Sequence, residues 1–359
     1  MMGTNITLRD KIIENRSYLA DRVLERILER FPELERQYTK RSREECKNDI
    51  IYHLLYLANA VGSASPELFL HYVGWVKVLF HSLGIPNQTF LAALEYIREE
   101  IRKHIDSIPE GVSYLEGVID RSLEEFPDMP KEHASYISPD NPHSELAVTY
   151  LHAVLEGKRH EAGRMVVAAV EQGTPVKEIY LHVFQTTQQE IGRLWQMNRI
   201  SVAQEHYATA VTQLVMSRLY PYIFSEDKNG LTFVGTCVGD ELHEIGIRML
   251  TDFFEIEGWD TYFLGANTPA SAVISSLQEY NADVIGISVT MTYHIHKAEE
   301  LISAIISEDW ASRPKILVGG YPFNREKNLW KRIGADGFAE NAMEALEVGW
   351  KLVHGDRAE

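Results

Sequence analysis

Apolar residues recur at three- and four-residue spacing through KIIENRSYLADRVLERILERF and KNDIIYHLLYLANAV, so each stretch carries an apolar stripe and is predicted to be an amphipathic helix. Ser65-Pro66 opens a third stretch, ELFLHYVGWVKVLFHSLG, which ends at Gly84, and Pro86-Asn87 precedes TFLAALEYIREEIRKHI. About five helices and no strand are predicted before residue 126. Residues 127–143 hold four prolines and read as a linker, because proline removes a backbone donor and blocks helix continuation. Four further helical stretches follow over 144–226: SELAVTYLHAVLEG, RHEAGRMVVAAVEQG, PVKEIYLHVFQTTQQEIGRLWQMN and SVAQEHYATAVTQLVMSRLYPYIF. Short turns at Gly157, Gly173 and Asn198 separate them, as in a four-helix bundle.

From Leu231 the period changes. The β-rich runs LTFVGTC, DTYFLG, DVIGISV, KILVGG and DGFA alternate with amphipathic stretches beginning near His243, Pro269, His296, Arg325 and Asn341. Such alternation implies βαβ units and a parallel sheet. The expected architecture is multidomain: an all-α region over 1–126, a four-helix bundle over 144–226, and a Rossmann-like (flavodoxin-like) α/β domain with five parallel strands over 227–359. In such sheets ligands sit beyond the carboxyl ends of the strands, at the switch point of strand order.

Charge narrows the functions available. The formal net charge of −17 lacks the basic stripe that phosphate backbones and anionic membranes require. The N-terminus is charged and without an apolar core, so no signal peptide is expected, and no apolar run is long enough to span a membrane. Cys46 and Cys237 form neither a disulfide framework nor a CxxC pair, which fits a reducing, cytoplasmic setting.

The first β-rich run leads into Val238-Gly239-Asp240-Glu241-Leu242-His243-Glu244-Ile245-Gly246. Gly246 is followed by 41 residues before Ser288, and 28 residues separate Thr290 from Gly319-Gly320. This spacing resembles the cobalamin-binding domain of methionine synthase, the corrinoid mutases and the cobalamin photoreceptors. The resemblance implies that His243 is the lower axial ligand to cobalt, with its other ring nitrogen oriented by Glu241. It also implies that the cofactor's nucleotide tail enters a slot between the third and fourth strands, where Ser288, Thr290, Gly319 and Gly320 leave room for it. Glu241 stands where most of the family has Asp, and Thr290 where it has Leu.

The bundle carries Trp195, nine residues, then Glu205-His206. This resembles the Trp-x9-Glu-His motif of photosensory cobalamin domains, in which the bundle caps the upper face of the corrin. The resemblance implies that Trp195, Glu205 and His206 enclose the adenosyl group of adenosylcobalamin, since an aromatic wall suits adenine and a carboxylate accepts from ribose hydroxyls. Light-dependent cobalamin repressors have a histidine directly after the motif tryptophan; here it is Gln196. His206, His182 or water is left as the upper ligand after illumination.

The N-terminal stretch EECKNDIIYHLLYLANAVGSASPELFLHYVGWVKVLFHSLGIP resembles photocobilins, which join a cobalamin light sensor to biliverdin. Candidate bilin contacts are His53, His71, Tyr72, Trp75 and His81, on two adjacent predicted helices. Cys46, lacking any surrounding motif, is expected to be a core residue rather than a covalent bilin anchor. The resemblance as a whole implies a photoreceptor without enzymatic activity. Its adenosyl group would be lost in light, and the change would pass to a homo-oligomer or a separate output protein. The alternative is a corrinoid methyl carrier serving a separate methyltransferase, and a third is a light-insensitive cobalamin sensor.

Overall fold

The computed structural model describes residues 2–37, 39–224 and 227–355. Six helices come first among the described residues: α1 (Met2–Arg30), α2 (Pro32–Gln37), α3 (Lys40–Gly62), α4 (Pro66–Leu83), α5 (Asn87–His104) and α6 (Pro109–Glu125). The periodicity missed only the short α2. Proline opens α4 and α6 at the first helical position, where its missing N–H costs nothing, and Gly84 ends α4 in the left-handed conformation.

The bundle follows as α7 (Ser144–Leu155), α8 (Arg159–Glu171), α9 (Val176–Glu178), α10 (Thr186–Gln196) and α11 (Val202–Arg218). A π-helical turn, Ile179–Gln185, joins α9 to α10 into one helical run. Ser201 and Gln204 form a capping box at the start of α11. Then come β1 (Thr232–Cys237), α12 (Ile245–Ile256), β2 (Asp260–Gly265), α13 (Ala270–Glu279), β3 (Val284–Ser288), α14 (Ile295–Ser307), β4 (Lys315–Gly319), α15 (Tyr321–Arg325), α16 (Leu329–Arg332), β5 (Gly337–Ala339) and α17 (Ala342–His354). The five strands are parallel, as expected, and lie in the order β2-β1-β3-β4-β5. The single helix expected near Arg325 is instead the two short helices α15 and α16.

Two compact units divide the chain. One comprises residues 1–131 together with 289–303 and 321–334; the other comprises 132–288, 304–320 and 335–359. The bundle and the sheet fall together in the second unit. The segments that follow β3 and β4 group with the N-terminal helices rather than with the sheet.

In the first unit, Leu8, Leu19, Val23, Leu54, Leu57, Phe69 and Leu94 are fully buried. The buried Lys77 ammonium donates to the carbonyls of Phe126 (2.6 Å), Pro127 (3.0 Å) and Met129 (2.7 Å), which satisfies the chain as it leaves α6. In the second unit the bundle and sheet share one apolar core, with Tyr180 and Phe184 of the π turn joined to Phe253, Phe254 and Trp259. Phe233 of β1 stacks on Phe254 of α12 at 3.9 Å. Gly286 of β3 permits this, since a Cβ there would lie 2.5 Å from the Phe233 ring.

Candidate functional site: a histidine at the carboxyl edge of the sheet

β1 and β3 lie side by side where the strand order reverses, so the carboxyl edge between them is the crevice this topology offers to a ligand. Cys237 pairs with Ser288, Ser288 with Gly319, and Gly319 with Ala339, so the last residues of four strands form one row. The expected tail residues Ser288 and Gly319 are therefore neighbours across β3 and β4. Gly320 has φ +109°, a conformation open to glycine alone at little cost. Thr290 lies two residues past Ser288, in the first unit.

The loop from β1 to α12 carries His243, two residues before the helix rather than at its start. Glu241 is fully buried beneath it. His243 Nδ1 lies 2.5 Å from Glu241 Oε1, which also accepts the His243 backbone N–H at 3.1 Å. With the carboxylate ionised, Nδ1 is the donor and Nε2 is left as the free donor to a metal. The hydrogen bond to Glu241, with the charges of Glu241 and Glu205, holds His243 above the ordinary imidazole range despite partial burial. The side chain keeps 58% of its exposure, so the ring is presented rather than packed away.

The loop is braced on its far side. Asn267 Oδ1 accepts the Asp240 N–H at 2.8 Å, and Asn267 N–H donates to the Glu241 carbonyl at 3.2 Å. Glu244 accepts from the Ala266 N–H (2.9 Å) and from Gln213 of α11 (2.7 Å), tying the loop to the bundle. A Cβ at Gly246 would meet nothing within 4 Å, so no protein packing demands glycine there. These features fit a corrinoid: one oriented imidazole, open space beside it, and small residues along the neighbouring strand ends.

Glu205 is the last of the causes that raise His243, through its charge. It also pairs with His206 Nδ1, whose ring is largely exposed. Trp195 is half-buried near the end of α10, and Gln196 beside it is buried. His182 sits in the π turn with its ring 6.0 Å from His143. A residue pair that the motifs did not indicate lies deeper: Tyr180 donates to Asp252 at 2.7 Å, and burial pushes the Asp252 carboxyl up to about 6.

The bilin candidates separate into two groups. His53 and Tyr72 are buried and hydrogen-bonded at 2.6 Å, and burial lowers His53 to about 3, so it is neutral. Tyr72 stacks on Tyr56 at 3.7 Å and lies near-parallel to Trp75 at 6.4 Å. His71 and His81 are exposed. Sequence reasoning missed Tyr52 and Tyr56 of α3 and Tyr293 after β3, which pack ring against ring at 5.1 and 5.6 Å. The repeat of Tyr52, Tyr56 and Asn59 along one face of α3 was the available signal.

Among the described residues no three His, Cys, Asp or Glu gather as a metal cage, and no helix is long and apolar enough to cross a membrane. Cys46 is half-buried; Cys237 is buried, and its thiol is pushed up by desolvation and by Glu241 and Glu244.

Comparison with known proteins agrees with this geometry. Residues 231–347 match a B12 binding domain, residues 146–220 a second B12 binding domain model, and residues 4–124 a phycobilisome protein model. A dimethylamine corrinoid protein of Methanosarcina mazei is 30% identical over 195 residues, 52% of this chain and 89% of the relative. Its counterpart in Methanosarcina acetivorans is 28% identical over 198 residues, 53% of this chain and 89% of that protein. The solved monomethylamine corrinoid protein of Methanosarcina barkeri superposes with a TM-score of 0.51 at 20% identity, over 58% of this chain and 99% of that one, a likeness of fold. The chain belongs to the corrinoid protein family and carries its B12-binding domain.

Proposed function

We propose that the chain is an adenosylcobalamin-binding light sensor, without catalytic activity of its own, in which residues 4–124 form a second, bilin-binding module. The carrying observation is the union in one chain of a B12-binding half with a match to phycobilisome proteins over residues 4–124. His243 would hold the cobalt, with Glu241 fixing its tautomer. Trp195, Glu205 and His206 would enclose the adenosyl group, with Glu205 as the ribose-hydroxyl acceptor. When bound, the cofactor would supply a light-labile cobalt–carbon bond, and the residues of the bundle would supply contacts to the adenosyl group whose loss would bias an assembly equilibrium. In the N-terminal module, Tyr72 and Trp75 would offer a ring stack to a linear tetrapyrrole, with neutral His53 holding Tyr72 through their hydrogen bond.

A second reading is the corrinoid methyl carrier, which delivers a methyl group to a separate methyltransferase. The dimethylamine corrinoid proteins favour it, and over the residues they match they support it better than the light-sensing reading. Those alignments take in only about half of this chain, whereas the sensor reading also accounts for the N-terminal helices.

One experiment separates them. Protein loaded with adenosylcobalamin in the dark is followed by absorption before and after green light, with and without biliverdin. Conversion of a dark-stable adenosyl spectrum, and a red band with biliverdin, is the expected result. Equal affinity for methyl- and adenosylcobalamin with no red band supports the carrier.

A further inference from the structure

The loop that carries His243 is held from the bundle as well as from the sheet. Glu244, the next residue along, has both carboxylate oxygens engaged. Its Oε2 accepts the Ala266 N–H, just past β2, at 2.9 Å, and its Oε1 accepts from Gln213 Nε2 of α11 at 2.7 Å. Gly265 has φ +79°, and a Cβ there would lie 3.1 Å from Glu244 Oε2, so glycine lets the backbone after β2 come up to the carboxylate. The other ties of the loop, Asn267 to Asp240 and Glu241, and Glu241 to His243, stay within the α/β half. Gln213 is the partner drawn from the bundle.

α11 can impose a position on the loop because it is itself fixed. Thr212, the residue before Gln213, accepts from Tyr150 of α7 at 3.0 Å and from Gln188 of α10 at 2.9 Å. One turn later, Arg248 of α12 donates to Ser217 at 3.0 Å, and it reaches Tyr220 at 3.1 Å. Ala208, Val211, Val215 and Met216 of α11 are buried in the core that bundle and sheet share. Glu205 and Gln213 stand two turns apart on this helix, about 12 Å along its axis. One helix therefore bears both a residue assigned to the adenosyl side and the amide that holds the loop of the axial ligand.

We propose that Gln213 is a positioning residue for axial ligation: by holding Glu244 against α11, it sets where the His243 ring is offered to the cobalt. The proposal rests on the reading of His243 as the lower ligand. Glu241 selects the nitrogen that is offered, and Gln213 fixes the place of the ring with respect to the bundle. Glu244 directly follows His243, so a displaced Glu244 moves the ligand's own backbone, and a ligand must keep within about 0.5 Å of its productive geometry. An amide donating to a carboxylate is a charge-assisted hydrogen bond, stronger than one between neutral groups.

The test is a double-mutant cycle on the full chain, with methylcobalamin in the dark as the probe. Its dissociation constant and absorption spectrum are measured for wild type, Gln213→Leu, His243→Ala and the double variant. Gln213→Leu is expected to weaken binding about fivefold, the scale of one hydrogen bond, and to add a base-off component to the spectrum. In the His243→Ala background the same substitution is expected to change almost nothing, because no ligand is left to position. Gln213→Glu opposes a second carboxylate to Glu244 and should lose more; adding Glu244→Gln exchanges donor and acceptor and should recover most of the affinity. If Gln213→Leu does not fold, Gln213→Asn, whose amide is too short to reach, carries the same comparison. An equal loss in both backgrounds, no loss in wild type, or an exchange that recovers nothing overturns the positioning role and leaves the ligand reading intact. A His243→Ala protein with unchanged affinity and spectrum overturns the ligand reading and the proposal together.

Discussion

At the residue scale, the site depends on two side chains two positions apart with unequal surroundings. Glu241 is sealed from water, while His243 stands half in it. His243→Ala is therefore expected to abolish histidine ligation, visible as a base-off absorption spectrum. Glu241→Ala should weaken cobalamin about 10–100-fold by freeing the ring's tautomer and orientation, as measured by titration calorimetry. Asp252 offers a pH-dependent test. Its folded value of about 6 lies above the ordinary 3.8, so its contribution to stability is fully present below about pH 4 and is lost as pH rises through 6. Asp252→Asn keeps an acceptor for Tyr180 and removes the buried charge. It should gain about 1–2 kcal/mol at pH 8 and almost nothing at pH 4, as read from thermal melts at both pH values. The pairing of Ser288 with Gly319 was legible because fixed strand and loop lengths return the chain to the same sheet edge at fixed intervals. The hold of Asn59 on Tyr293 and His296 was not: these partners lie 234 and 237 positions away, and no local period encodes that meeting.

At the element scale, all five strands lie where the change of period put them: β1, β3 and β4 are largely buried runs, whereas the edge strand β2 leaves Tyr262 and Phe263 exposed. The weak point was between β4 and β5, where YPFNR and LWKR are too short to show a helical repeat and fold as separate turns of helix. The packing of α12 across the sheet is equally specific. Gly286→Ala must push the Phe233 ring out of its stack on Phe254, and should cost about 1–3 kcal/mol in a denaturant melt. In the bundle, Trp195→Ala is expected to narrow the preference for adenosyl- over methylcobalamin, scored as the ratio of the two dissociation constants. An unchanged ratio would remove Trp195 from the upper face.

At the scale of the whole molecule, the sensor reading requires light to change assembly. Adenosylcobalamin-loaded protein run on size-exclusion chromatography with light scattering should differ in mass between dark and illuminated samples. A mass that stays constant would leave a separate output protein as the only recipient of the signal. The passage from helices alone to alternating strands and helices was legible because the period shifts abruptly at Leu231. The interleaving of the units was not, since residues 289–334 carry the ordinary βαβ pattern of their neighbours. That interleaving bears on how the protein is made. Helices α1–α6 leave the ribosome first, yet the unit they belong to also needs residues 289–303 and 321–334. Asn59, Ser65 and Arg9 must wait for partners synthesised more than 230 residues later. The first helices to emerge are thus among the last to be completed, and during synthesis they present unfinished apolar surface to chaperones and proteases.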